Sequence, residues 1–197
     1  MADELDLTRR RFLTAATAVT GAVGVVAGAT PFIASMKPSA RARALGAPVQ
    51  VDISDLAEGE MMKVKWRGKP VVVLRRNAEM IDELTQSAAP LRDPNSEEAQ
   101  QPNYATNANR SIRPDVFVAL SICTHLGCAP AFRPQKGEVE IGADWPGGFF
   151  CRCHGSKFDL AGRVYTGVPA PLNLQVPPYR FLDENTLLIG DDLGVVA

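Results

Sequence analysis

The chain has no surplus of basic charge. Beyond residue 44 it carries 15 Lys and Arg against 19 Asp and Glu, a net of −4, which excludes a nucleic-acid binder. It has no internal repeat, so it is no repeat array, and no glycine loop of the kind that cradles phosphate. Histidine is scarcest of all, with two residues, alongside four cysteines in 197. All six fall within 32 residues, as Cys123-Thr-His125-Leu-Gly-Cys128 and Cys151-Arg-Cys153-His154-Gly-Ser156. Soft ligands this rare and this concentrated mark a metal site.

Thiolate and neutral imidazole suit zinc, copper and iron-sulfur clusters, whereas hard cations take oxygen. Six candidates exceed the four that one tetrahedral zinc needs. Either two are spare or the boxes do two jobs. Each box holds a Cys and a His two or three residues apart, Cys123 with His125 and Cys151 with His154, plus one additional Cys. A plain staple of two disulfides would leave both histidines without a role.

The pair of motifs, CTHLGC followed by CRCHGS, resembles the two cluster-binding loops of the Rieske iron-sulfur proteins, with Gly127, Gly155 and Ser156 matching as well. The resemblance implies one 2Fe-2S cluster, with Cys123 and Cys151 as thiolate ligands of one iron and His125 and His154 on the other. Cys128 then pairs with Cys153. It also implies that Leu126 shields the cluster from solvent and that the Ser156 hydroxyl donates to a cluster sulfur. Imidazole in place of two thiolates lowers the negative charge on the cluster and moves its potential to roughly −150 to +300 mV. The free ring nitrogens add a proton that moves with the electron.

Two positions depart from the family pattern. Arg152 stands where many members have proline between the paired cysteines, which loosens the backbone and puts a positive charge beside the site. Phe158 stands where high-potential members have a tyrosine that donates to a ligand sulfur, so a lower potential than in tyrosine-bearing relatives is expected. Gly167-Val-Pro169-Ala-Pro171 resembles the proline-rich loop that covers the cluster, and a strand is expected to follow at Leu174 to Val176.

At the amino terminus, Thr8-Arg9-Arg10-Arg11-Phe12-Leu13 resembles a twin-arginine export signal. That route carries folded cargo, which suits a cofactor inserted before export. Residues 12–36 contain no charge, a run of 25. As a helix this run reaches about 37 Å, more than the roughly 30 Å hydrocarbon core. The flanking arginines put residues 1–11 in the cytoplasm. Residues 40–42, Ala-Arg-Ala, permit cleavage, but the apolar run exceeds a signal-peptide core, so an uncleaved anchor is the reading adopted. Gly24 and Gly28 supply a small-xxx-small face, a pattern that Ala- and Gly-rich runs also give by chance. Residues 37–48, with Pro38, Gly46 and Pro48, read as a flexible neck.

Residues 49–197 read as one all-β domain. Strands are expected at Val49 to Ile53, Met62 to Trp66, Pro70 to Arg75, Val116 to Ile122, Val176 to Leu182 and Thr186 to Ile189. Arg67-Gly68 and Glu184-Asn185 read as hairpin turns. A short helix is expected from Asn77 to Leu84, a surface excursion from Ala88 to Arg110, and a hairpin across the 22 residues between Cys128 and Cys151. The resemblance supplies the rest of the architecture: an antiparallel β base with an inserted, rubredoxin-like cluster-binding subdomain at about 121–171, behind a single transmembrane helix.

The function this implies is that of the Rieske subunit of a respiratory quinol:cytochrome c reductase, a cytochrome bc complex of the bacterial inner membrane. Quinol, as ubiquinol, cytochrome b and a c-type cytochrome are the implied partners, in a dimeric complex with the cluster domain in the periplasm. His154 is the expected quinol contact, with His125 a second exposed imidazole that sequence alone cannot rank below it. Alternatives are the Rieske subunit of another exported oxidoreductase of the arsenite oxidase type, a Rieske ferredoxin of a ring-hydroxylating oxygenase, or a zinc-stapled extracellular interaction module.

Overall fold

A computed structural model describes residues 2–195, which divide into two units near Ala44. The first is dominated by helix α1, Ala2–Ser35. Its apolar side chains project on all sides and are uncovered by protein: Phe12 is 69% exposed, Val25 72% and Phe32 74%. A helix apolar all round suits lipid or a protein core. It is long and apolar enough to cross a membrane. Hydroxyls of Thr14, Thr17 and Thr30 bond back to the carbonyls four residues earlier, at 2.7 to 2.8 Å, so these three polar side chains are satisfied within the segment. Residues expected to form an irregular neck contain a short helix, α2, Ala40–Gly46. The Ser39 side chain accepts from the amide of Ala42 at 3.1 Å, an N-cap that composition did not suggest.

Among the described residues, the second unit holds three antiparallel sheets of three strands each. One joins β1 (Val49–Asp52), β9 (Thr186–Ile189) and β8 (Tyr179–Phe181) in the order β1-β9-β8. The next joins β2 (Met61–Trp66), β3 (Lys69–Arg75) and β4 (Val116–Leu120), and the last β5 (Ala131–Arg133), β6 (Gly148–Cys151) and β7 (Ser156–Phe158). Val71 to Leu74 in β3 and Val116 to Ala119 in β4 are fully buried. That is why both strands read as unbroken apolar runs: each is covered on two faces, and each large side chain contributes about 1.5–3 kcal/mol by leaving water. Arg67 and Gly68 take positive φ, 50° and 76°, in the two-residue turn that joins β2 to β3.

Helix α3, Ala78–Gln86, starts one residue later than expected because Asn77 is its N-cap, accepting from the Met80 amide at 2.9 Å. Three other expectations are corrected. Ala88 to Arg110 is no mere surface excursion, since Ser96, Ala105 and Arg110 are buried. Arg110 donates to the carbonyls of Ala161 and Leu174 and to Gln101 Oε1, and burial pushes its pKa down to about 10, so it stays charged near neutrality. Polarity hid this, because a cation whose donors are matched by carbonyls can be buried. Leu174 to Val176 forms no strand, although Leu174 donates to Gly162 and Val176 to Gln100. Pro177 and Pro178, which have no amide to offer a ladder, delay β8 to Tyr179. Strand β4 stops at Leu120, and the next residues turn into the first cysteine-histidine box.

Candidate metal centre

Both boxes hang from the β5-β6-β7 sheet. The second is the turn of a hairpin: Cys151 closes β6, Ser156 opens β7, and the two are paired across the ladder. Gly148, at the start of β6, has φ 147°, and a Cβ there would collide with the Phe158 carbonyl. Only glycine lets β6 and β7 approach closely enough to present this turn.

The boxes share one backbone device. The Cys123 carbonyl accepts from the Gly127 amide and the Cys151 carbonyl from the Gly155 amide, both at 2.9 Å, with positive φ at each glycine. Each box is thus a single tight turn that carries its thiol at the first residue and its imidazole on the bend.

Cys123 and Cys151 are both 2% exposed, and both are free. The thiols share a hydrogen bond, and the amides of Cys153 and His154 point at the Cys151 sulfur. Burial above all, and then the contact with Cys123, raises the Cys151 pKa, partly offset by those amides. A buried thiol so placed resists ionisation until a cation arrives, as Cys151 does. His125 is half-buried and His154 exposed, with ring centroids 4.8 Å apart and planes at 82°. Cys128 and Cys153 are joined in a disulfide across the two boxes. The sulfurs of Cys128, Cys151 and Cys153 lie within 4.8 Å of one another, but two of these are bound to each other, which leaves Cys151 the sole thiol of the three.

A family model described as "Rieske [2Fe-2S] domain" matches residues 48–178. The chain belongs to the Rieske [2Fe-2S] family. A second model, "Ubiquitinol-cytochrome C reductase Fe-S subunit TAT signal", matches residues 1–39. The chain is 56% identical to the ubiquinol-cytochrome c reductase iron-sulfur subunit of Allochromatium vinosum, over 94% of this chain and 90% of that one. It is 44% identical to the subunit of the same name from Bradyrhizobium diazoefficiens, over 93% and 94%. A solved structure named "Hyperthermophilic respiratory Complex III" aligns with 87% of this chain and 98% of that one at 27% identity and a TM-score of 0.47.

The Rieske cofactor is a 2Fe-2S cluster, and the donor set fits it. Two buried thiols lie together, two imidazoles stand side by side nearer solvent, and the remaining cysteines are removed from competition by their bond. Zinc would take four donors of any such mixture; it gives no reason for sulfurs inside and nitrogens outside.

Ser156 is fully buried, and its hydroxyl accepts from the Ala170 amide at 3.1 Å. Its proton is thereby turned away from the Ala170 amide. Thr124, which sequence reasoning passed over, donates to the Leu172 carbonyl at 2.6 Å. One hydroxyl from each box therefore pins the proline-rich segment 167–172. No sequence signal marks Thr124, because its partner lies 48 residues away. Leu126 is 71% exposed, so its outer face meets solvent. Phe158 is fully buried, paired in the ladder with Phe149.

Proposed function

We propose that this Rieske chain is the electron-transfer subunit of a quinol:cytochrome c reductase, in which His154 receives the quinol proton. The observation that carries the reading is the asymmetry of the centre: sulfurs buried, histidines outward, and His154 the more exposed of the two. In this reading Cys123 and Cys151 hold one iron, and His125 and His154 the other. The bound cluster supplies a one-electron acceptor at quinol-level potential. The quinol hydroxyl donates a hydrogen bond to the non-ligating nitrogen of His154, and that nitrogen keeps the proton when the electron departs. Leu126 offers the apolar contact beside it and Ser156 a hydrogen bond to a cluster sulfur.

Quinol oxidation belongs to the assembled complex. Cytochrome b is the neighbour at the quinol site and a c-type cytochrome the electron acceptor, within a dimeric complex of the bacterial inner membrane. Residues 1–11 lie in the cytoplasm and 12–36 form the uncleaved anchor. Residues 37–48 are the neck and 49–197 the periplasmic head, with the cluster-binding subdomain at about 121–171. The relatives' shared name and the signal match over residues 1–39 favour this over an arsenite oxidase type subunit.

A conservative His154 variant that keeps its cluster is expected to lose quinol oxidation by about 10²-fold or more, the scale of a lost acid-base group. Steady-state reduction of cytochrome c by purified complex measures it, and normal turnover would reject the assignment. Phe158→Tyr is expected to raise the midpoint potential by restoring a hydroxyl donor toward a ligand sulfur. An unchanged redox titration would show that Phe158 does not depress the potential.

A further inference from the structure

Four charged side chains alternate in sign along the edge of the cluster-bearing sheet. Glu138 Oε2 lies 3.3 Å from Arg133 Nη1, Arg133 Nη2 lies 3.6 Å from Glu140 Oε2, and that same oxygen lies 3.0 Å from Arg152 Nη2. Arg133 ends β5 and both glutamates come from the loop that joins β5 to β6. Arg152 sits between the thiol of Cys151 and the disulfide at Cys153. The row therefore terminates one peptide, about 3.8 Å between Cα atoms, from a cluster ligand.

We propose that Arg152 and Glu140 together set the reduction potential of the centre, with Glu140 a positioning residue that holds the guanidinium and offsets its charge. The proposal rests on the assignment of Cys123, His125, Cys151 and His154 as ligands. Reduction adds one electron, so a fixed cation nearby favours the reduced form and raises the potential, while a fixed anion lowers it. Arg152 is the charge nearest the centre along the chain. Glu140 is shared, since Arg133 already has Glu138, and it therefore damps Arg152 as well as anchoring it. The Arg152 and Glu140 side chains are 61% and 64% exposed. An ion pair that open adds little to stability, so its loss leaves the fold intact.

The test is a spectroscopic redox titration of the cluster-loaded full chain, run on the parent protein, Arg152→Gln, Arg152→Lys, Glu140→Gln and the Arg152→Gln, Glu140→Gln double variant. Arg152→Gln is expected to lower the midpoint and Glu140→Gln to raise it. Arg152→Lys stays near the parent, and the double variant falls between the two singles. The opposed shifts shrink as ionic strength rises from 0.01 to 1 M, where the screening length falls from about 30 to about 3 Å. A structural disturbance would move both single variants the same way. Shifts of equal sign, or none, overturn the proposal while the reduced-state paramagnetic spectrum keeps the ligand assignment standing. A parent protein without that 2Fe-2S spectrum overturns both.

Discussion

Changing His125 and His154 together to alanine is expected to abolish bound iron and inorganic sulfide in the purified protein. The imidazole ring centroids stand 4.8 Å apart at the outer edge of the centre, and in the proposed assignment they would be the protein's only ligands to one of the two irons. Without them the buried thiols of Cys123 and Cys151 are left with a half-ligated cluster open to water. The thiolates also lose the cation that justifies their ionisation in a buried place. The base of the head survives, because the β2-β3-β4 ladder lies outside the boxes and the box residues that reach the shared core, Cys123 and Cys151, are unchanged. Iron and sulfide analysis, with circular dichroism to show that the sheets remain, measures the outcome. Sulfide retained at parental stoichiometry would end the assignment.

Replacing Cys128 and Cys153 by alanine is expected to cost about 3.5 kcal/mol, the loop-closure value for a bridge that spans about 25 residues. For a head of this size each kcal/mol corresponds to roughly 2–4 °C in Tm, so a loss near 10 °C follows. The first box precedes β5 and the second joins β6 to β7, so without the bridge the two are held together by the short strands of this sheet and by their shared hold on segment 167–172. The cluster-bearing end is therefore expected to open before the base, which limited proteolysis between residues 121 and 171 would detect. A melting curve within 2 °C of the parent, with cleavage unchanged, would show that the ladder alone suffices.

The sequence was most readable where chemistry and burial coincide. The six soft ligands stood out because nothing else in the chain competes with them, and the continuous apolar runs of β3 and β4 announced strands covered on both faces. What stayed hidden depends on partners far along the chain. Thr124 looks like any turn threonine until its acceptor at Leu172 is seen. Arg110 sits in a polar stretch that looks solvated, yet it is fully buried, its charge met by carbonyls 51 and 64 residues away. The strand expected at Leu174 to Val176 failed for a related reason. The Leu174 and Val176 amides bond to two separate segments, at Gly162 and Gln100, instead of to one neighbour, and alternation along a segment carries no information about which of these occurs. The Arg152 substitution was visible, but its carboxylate partner was not.

The pairing of β1 with β9 bears on the timing of biosynthesis. Val51 of β1 faces Leu187, and the Ile53 amide donates to the carbonyl of Asn185, so the earliest strand of the head waits for the latest among the described residues. A nascent chain halted before Thr186 leaves Val51 and Ile53 uncovered and their strand without a ladder. The head therefore completes itself only after the ribosome has delivered β9, Thr186–Ile189. A premature stop at or before Thr186, which removes β9, should be as damaging as one in the middle of the head.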